Sequence, residues 1–126
     1  MGDRILIVED NEANMELATD LLEVAGFEVL QAPTAEIGIG LVRSEFPDLI
    51  VMDIGLPGMD GLEATRILKG DATTQHIPIL GASSHAMKGD QEKAFAAGCD
   101  GYITKPIDTR TFAGTVLQFL PASAKE

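Results

Sequence analysis

The chain has a single cysteine, Cys99, so no internal disulfide can form. It is also short of positive charge: nine Lys and Arg stand against twenty Asp and Glu, a formal net charge of −11. A surface of that sign repels phosphate backbones and argues against nucleic acid as a partner. No apolar run approaches the roughly 18 residues needed to cross a bilayer. The opening Met1-Gly2-Asp3-Arg4 lacks the basic-then-apolar layout of a signal peptide, and a hydroxyl residue is missing where an N-myristoylation motif needs one. Internal repeats, linkers and low-complexity tracts are absent too. These absences lead to the expectation of a cytoplasmic protein without membrane contact, with residues 1–126 forming one domain.

What is present suffices for a core, since 45% of residues are hydrophobic. Arg4–Glu9 is a nearly continuous apolar run rich in branched side chains, the pattern of a strand buried on both faces of a parallel sheet. Asp10-Asn11 signals a helix start, and Met15, Ala18, Leu21, Leu22 and Ala25 follow at helical spacing up to Gly26, a C-terminal stop. Phe27–Gln31 reads as a second strand. Pro33-Thr34 opens a second helix with Ile37, Leu41 and Val42 inward, and Phe46-Pro47 breaks it. Asp48–Met52 is a third strand running into Asp53, followed by a glycine- and proline-dense loop, Gly55–Gly61. A third helix carries Leu62, Ala64, Thr65, Ile67 and Leu68 and ends near Gly70. Ile77–Ala82 is a fourth strand. A fourth helix holds Glu92–Ala97 and is capped by Gly98; Gly101–Thr104 is a fifth strand; Asp108–Phe119 is a final helix. Five strands alternating with five helices through short connections imply a doubly wound α/β fold, a parallel sheet with helices on both faces.

In such sheets ligands bind beyond the carboxyl ends of the strands. Those ends are Glu9-Asp10 on the first strand, Asp53 on the third, Ser83-Ser84 on the fourth and Lys105-Pro106 on the fifth. Three carboxylates gathered at one edge repel one another and call for a cation. Oxygen donors with no thiolate or imidazole beside them in the chain favour Mg2+ or Mn2+ over Zn2+. A carboxylate is a competent nucleophile toward phosphorus, and a lysine and a hydroxyl nearby suit phosphoryl oxygens.

The segments Ile5–Asn11, Met52–Gly61, Pro78–Ser83 and Gly101–Pro106, in this order and spacing, resemble those of the receiver domains of two-component response regulators, over essentially the whole length. The resemblance implies the five-stranded order 2-1-3-4-5 and a set of roles. Asp53 is the phosphoacceptor. Asp10 holds Mg2+ directly, Glu9 holds it through water, and Asp53 and the backbone carbonyl of Gly55 complete the protein ligands. Ser83 and Lys105 bind phosphoryl oxygens, Ser84 being the second choice for the hydroxyl. Tyr102 is the aromatic switch that follows Ser83, and Lys105-Pro106 is joined by a cis peptide. The donor is a phosphohistidine on a histidine kinase or a histidine phosphotransfer protein. The output is a protein target that meets the face made by the fourth helix, fifth strand and fifth helix. No output domain is visible, so either a stand-alone receiver or a piece of a longer protein is expected, the stand-alone form being favoured.

Each of these residues also has a plainer reading. Asp53 alone could cap a turn, Glu9-Asp10 could cap the first helix (Asn11 serves equally well), Lys105 could be a surface lysine, and Tyr102 a half-buried strand aromatic. Cys99 reads as a small core group, His76 as a loop residue, His85 as a surface histidine, and Met59 and Met87 as loop or packing residues beside the site. Two departures stand out. Gly55 provides no side chain to shield a phosphoryl group, a part His85 could take, and Gly81-Ala82 are small enough to loosen the link between Ser83 and the fourth helix. A Mg2+-dependent aspartyl phosphatase wants a second aspartate where Gly55 stands. A flavodoxin-like module wants a hydroxyl-rich phosphate loop where Glu9–Glu12 stands.

Overall fold

The computed structural model describes residues 3–54, 61–83 and 88–120. Ten elements alternate along the chain: β1 (Arg4–Val8), α1 (Glu12–Val24), β2 (Glu28–Ala32), α2 (Ala35–Glu45), β3 (Leu49–Asp53), α3 (Gly61–Lys69), β4 (Ile79–Ser83), α4 (Lys88–Ala97), β5 (Gly101–Thr104) and α5 (Phe112–Phe119). All strand pairs are parallel, and the order is β2-β1-β3-β4-β5, so the sheet is doubly wound as the alternation implied. The central strands β1, β3 and β4 are buried almost throughout, which explains why their sequences run apolar rather than alternating.

Successive strand residues serve opposite faces. Leu6, Val8, Ile50, Met52 and Ile79 join side chains of α2, α3 and α4 in one core. Ile5, Ile7, Leu49, Val51 and Leu80 join Met15, Ala18 and Leu22 of α1 and Phe112 and Val116 of α5 in the other. Two helices on one side and three on the other leave the strand ends as the uncovered rims.

The helix ends follow local chemistry. Asn11 caps α1 by accepting from the Asn14 N–H at 3.0 Å, and Thr34 caps α2 through Ile37 N–H at 3.1 Å. Gly26 and Gly98 close α1 and α4 with positive φ of 97° and 114°. Phe46 does the same for α2 at φ 47°, and Pro47 behind it bars a right-handed helical conformation.

Some boundaries and faces differ from those the sequence suggests. The inward stripe of α2 is Ala35, Gly38, Ile39 and Val42, while Ile37 is 48% exposed. Gly38 sets this rotation, because a Cβ there would lie 2.9 Å from a Val8 methyl carbon. Ala25 ends α1 as an exposed cap. Helix α3 already begins at Gly61. Helix α5 begins only at Phe112, because the Asp108 carboxylate accepts from the Arg110 N–H at 2.9 Å and forms a turn first.

Candidate functional site

Strand register places the polar strand ends in a row. Val8 is level with Met52, Asp53 with Ala82, and Ser83 with Thr104. The next residues after β1 and β5, Glu9 and Lys105, therefore flank Asp53 and Ser83 on the same rim. The Lys105 N–H donates to the Ser83 carbonyl at 2.8 Å, which ties the end of β5 to that of β4. The Lys105-Pro106 peptide is cis.

Carboxylate oxygens of Glu9, Asp10 and Asp53 all lie within 4.8 Å of one another. Glu9 and Asp53 are only 6% and 7% exposed, whereas Asp10 is open to solvent. The Lys105 ammonium reaches both buried members: it donates to Glu9 Oε1 and, at 3.1 Å, to Asp53 Oδ2. The other Glu9 oxygen accepts from the Asn11 N–H at 3.1 Å.

Burial holds the Glu9 carboxyl above its ordinary value, against the hydrogen bonds from Lys105 and Asn11, and the nearby Asp53 charge adds to the rise. Burial by itself would lower Lys105. Its hydrogen bonds to Glu9 and Asp53 prevail, and the ammonium titrates above the usual lysine range. Three carboxylates against one ammonium leave two negative charges, which a divalent cation balances. The donor set is all oxygen, so the residues fit Mg2+ or Mn2+.

The arrangement brings together Glu9, Asp10, Asp53 and Lys105, with Ser83 buried one residue beyond the strand neighbour of Asp53. Tyr102 lies half-buried on edge strand β5, level with Gly81, and packs against the core that α4 covers. Gly55, Ser84, His85, Met59 and Met87 lie outside the described residues. Cys99 is buried beside Thr65, and burial pushes its thiol up. A Cβ on Gly81 would sit 3.1 Å from the Cys99 sulfur and 3.5 Å from the Ala94 Cβ. The glycine thus admits α4 and Cys99 close to β4, and the packing behind Ser83 is tight where the small residues suggested slack. Sequence reasoning also missed the Glu9–Lys105 pair. The opposite charges of two residues so far apart in the chain were its only signal.

Residues 5–116 match the family model of the response regulator receiver domain. The chain belongs to that family. Among its relatives, the polar-differentiation response regulator DivK of Brucella ovis is 43% identical over 120 residues, covering 95% of this chain and 98% of DivK. A putative response regulator from Chloroflexus aurantiacus superposes with a TM-score of 0.90 at 26% identity, covering 94% of this chain and 97% of that one. A CheY-like receiver domain protein from Methanospirillum hungatei gives a TM-score of 0.85 at 30% identity, with 94% and 93% covered. The receiver's five-stranded order is thus shared with these structures, and among the described residues its acidic rim gathers carboxylates that could hold a metal. No helix among the described residues is long and apolar enough to cross a membrane.

Proposed function

We propose that this receiver accepts a phosphoryl group on Asp53 from a phosphohistidine of a histidine kinase or a histidine phosphotransfer protein, and that the modification reshapes a protein-binding face. The observation that carries this reading is the convergence on Asp53 of two further carboxylates within 4.8 Å and of the Lys105 ammonium at 3.1 Å. A turn cap needs no such company.

In the transfer, an Asp53 oxygen forms a bond to phosphorus as the bond between phosphorus and the donor's imidazole nitrogen breaks. The imidazole leaves with the bonding pair and takes up a proton. Glu9, Asp10 and Asp53, with the Gly55 carbonyl that the family resemblance adds, would hold Mg2+ or Mn2+, which would neutralise charge on the phosphoryl oxygens. Lys105, anchored by the cross-strand hydrogen bond of its N–H to Ser83, gives its ammonium to a phosphoryl oxygen. The Ser83 hydroxyl donates to another. Movement of Ser83 is passed to Tyr102 and then to the surface of α4, β5 and α5. Phe95 stands 46% exposed there, and Tyr102, Thr104, Thr111 and Phe112 line a depression of about 180 Å3. Phosphorylation then biases two arrangements of that surface.

Incubation with acetyl phosphate and Mg2+, followed by intact mass measurement, tests the reading. Wild type gains one phosphoryl group, and Asp53→Asn gains none. Equal labelling of both proteins, or a wild type that binds Mg2+ and stays unlabelled, overturns it.

A further inference from the structure

Helix α1 breaks a local rule. Glu12, Glu16 and Asp20 recur every four residues, so they form a single ridge of like charge, an arrangement that destabilises a helix. The helix Glu12–Val24 contains no Lys or Arg, and none of the three acids forms an ion pair among the described residues. Neither folding nor the Asp53 chemistry requires the ridge. Local conflicts of this kind point to function.

The ridge borders a groove of about 420 Å3 between α1 and the strand that follows it. Met15 and Pro33 give the groove apolar lining, and Thr19 and Gln31 form a firm wall, the Gln31 side-chain amide donating to the Thr19 hydroxyl at 2.8 Å. Asp10 and the ridge acids surround it, and at one end it runs into Glu9 of the metal-binding cluster. We infer that this groove docks a basic segment of a partner protein, an apolar side chain entering over Met15 with flanking Lys or Arg side chains on Glu12, Glu16 and Asp20. Charge complementarity selects this occupant. A nucleic acid or an anionic lipid surface would be repelled, and so would a second copy of a chain carrying −11. Because the groove opens onto the phosphoacceptor rim, its occupant lies within reach of the signalling state.

The test is a titration of the full 15N-labelled chain with the peptide acetyl-Lys-Arg-Leu-Lys-Arg-amide at saturating Mg2+. It needs no phosphoryl transfer, so its outcome is separate from that of Asp53 labelling. Saturable amide shifts confined to residues 12–20, 31 and 32 are expected. The control acetyl-Gln-Gln-Leu-Gln-Gln-amide binds at least about ten-fold more weakly, and the double variant Glu16→Gln/Asp20→Asn weakens the basic peptide about five-fold. That variant removes like-charge repulsion, so it stays folded, and its labelling by acetyl phosphate is unchanged. Shifts scattered over the acidic surface without saturation, equal binding of the control peptide, or undiminished affinity in the double variant would overturn the inference.

Discussion

The two rims of this sheet carry similar residue types and treat them in opposite ways. At the amino-terminal rim Arg4 and Lys69 meet matched partners and stay partly in water. The Arg4 N–H donates to Asp48 at 2.8 Å, and the Arg4 guanidinium pairs with Glu45. Lys69 donates to Asp100 at 2.9 Å and to the carbonyls of Gln75 and Ile77 at 3.1 and 2.9 Å, while Asp100 also accepts from the Ile79 N–H. At the carboxyl-terminal rim three acids lie together, and one lysine pairs with the two of them that are buried. A balanced rim closes the fold. An unbalanced, buried rim can hold a cation, at some cost in stability.

The two lysines make the sharpest test. Lys105→Met leaves Glu9 and Asp53 buried without a counter-charge. It is expected to destabilise the metal-free protein by about 3 kcal/mol, read by urea unfolding at pH 8. It is also expected to slow labelling by acetyl phosphate about a hundred-fold. Lys69→Met removes one charged donor from three acceptors at a rim where water can replace it. A loss of about 1–2 kcal/mol is expected there, with labelling unchanged. If both variants lose labelling equally, the distinction between the rims fails.

Asp10→Asn probes the imbalance from the other side. Asp10 is exposed and adds repulsion to the cluster. Its neutralisation is expected to raise stability in EDTA by about 0.5 kcal/mol and to diminish the gain in thermal midpoint on adding Mg2+. A variant less stable than wild type in EDTA would mean that the carboxyl-terminal rim is balanced after all.

Much of this contrast is legible from the chain. Continuous apolar runs betray the central strands, and parallel topology requires their reactive ends to meet, so Asp10, Asp53 and Lys105 can be brought to one rim before any coordinates. The pairing of Lys105 with Glu9 cannot, since it depends on how far each side chain is buried after the strands align. Helix faces are also less certain. Ile37 and Ile39 are equally apolar, and the choice between them falls to Gly38, whose missing side chain lets α2 settle against Val8. Gly81 misleads for the same reason: its smallness reads as looseness until Cys99 and Ala94 are found filling the space.

The smallest expected effect lies at the balanced rim, in the turn between α3 and β4. Asp71 accepts from the Thr73 N–H at 2.9 Å and from its hydroxyl at 2.8 Å, and Arg43 lies 3.8 Å away. The two hydrogen bonds, the backbone one foremost, hold its carboxyl below the ordinary value, with a lesser contribution from Arg43. A carboxyl lowered on folding stabilises the protein above its unfolded value, and that stability is lost as pH falls toward the folded one. Asp71→Ala should therefore lower the urea midpoint slightly at pH 7, and the difference from wild type should shrink as pH falls below the ordinary carboxylate range. Asp71→Asn keeps an oxygen acceptor for Thr73 and should fall between the two at neutral pH. A gap between wild type and Asp71→Ala that persists unchanged in acid would show that the turn is held by its shape and not by the carboxylate, and would leave the pairing of charges at this rim with less of the work of closing the fold.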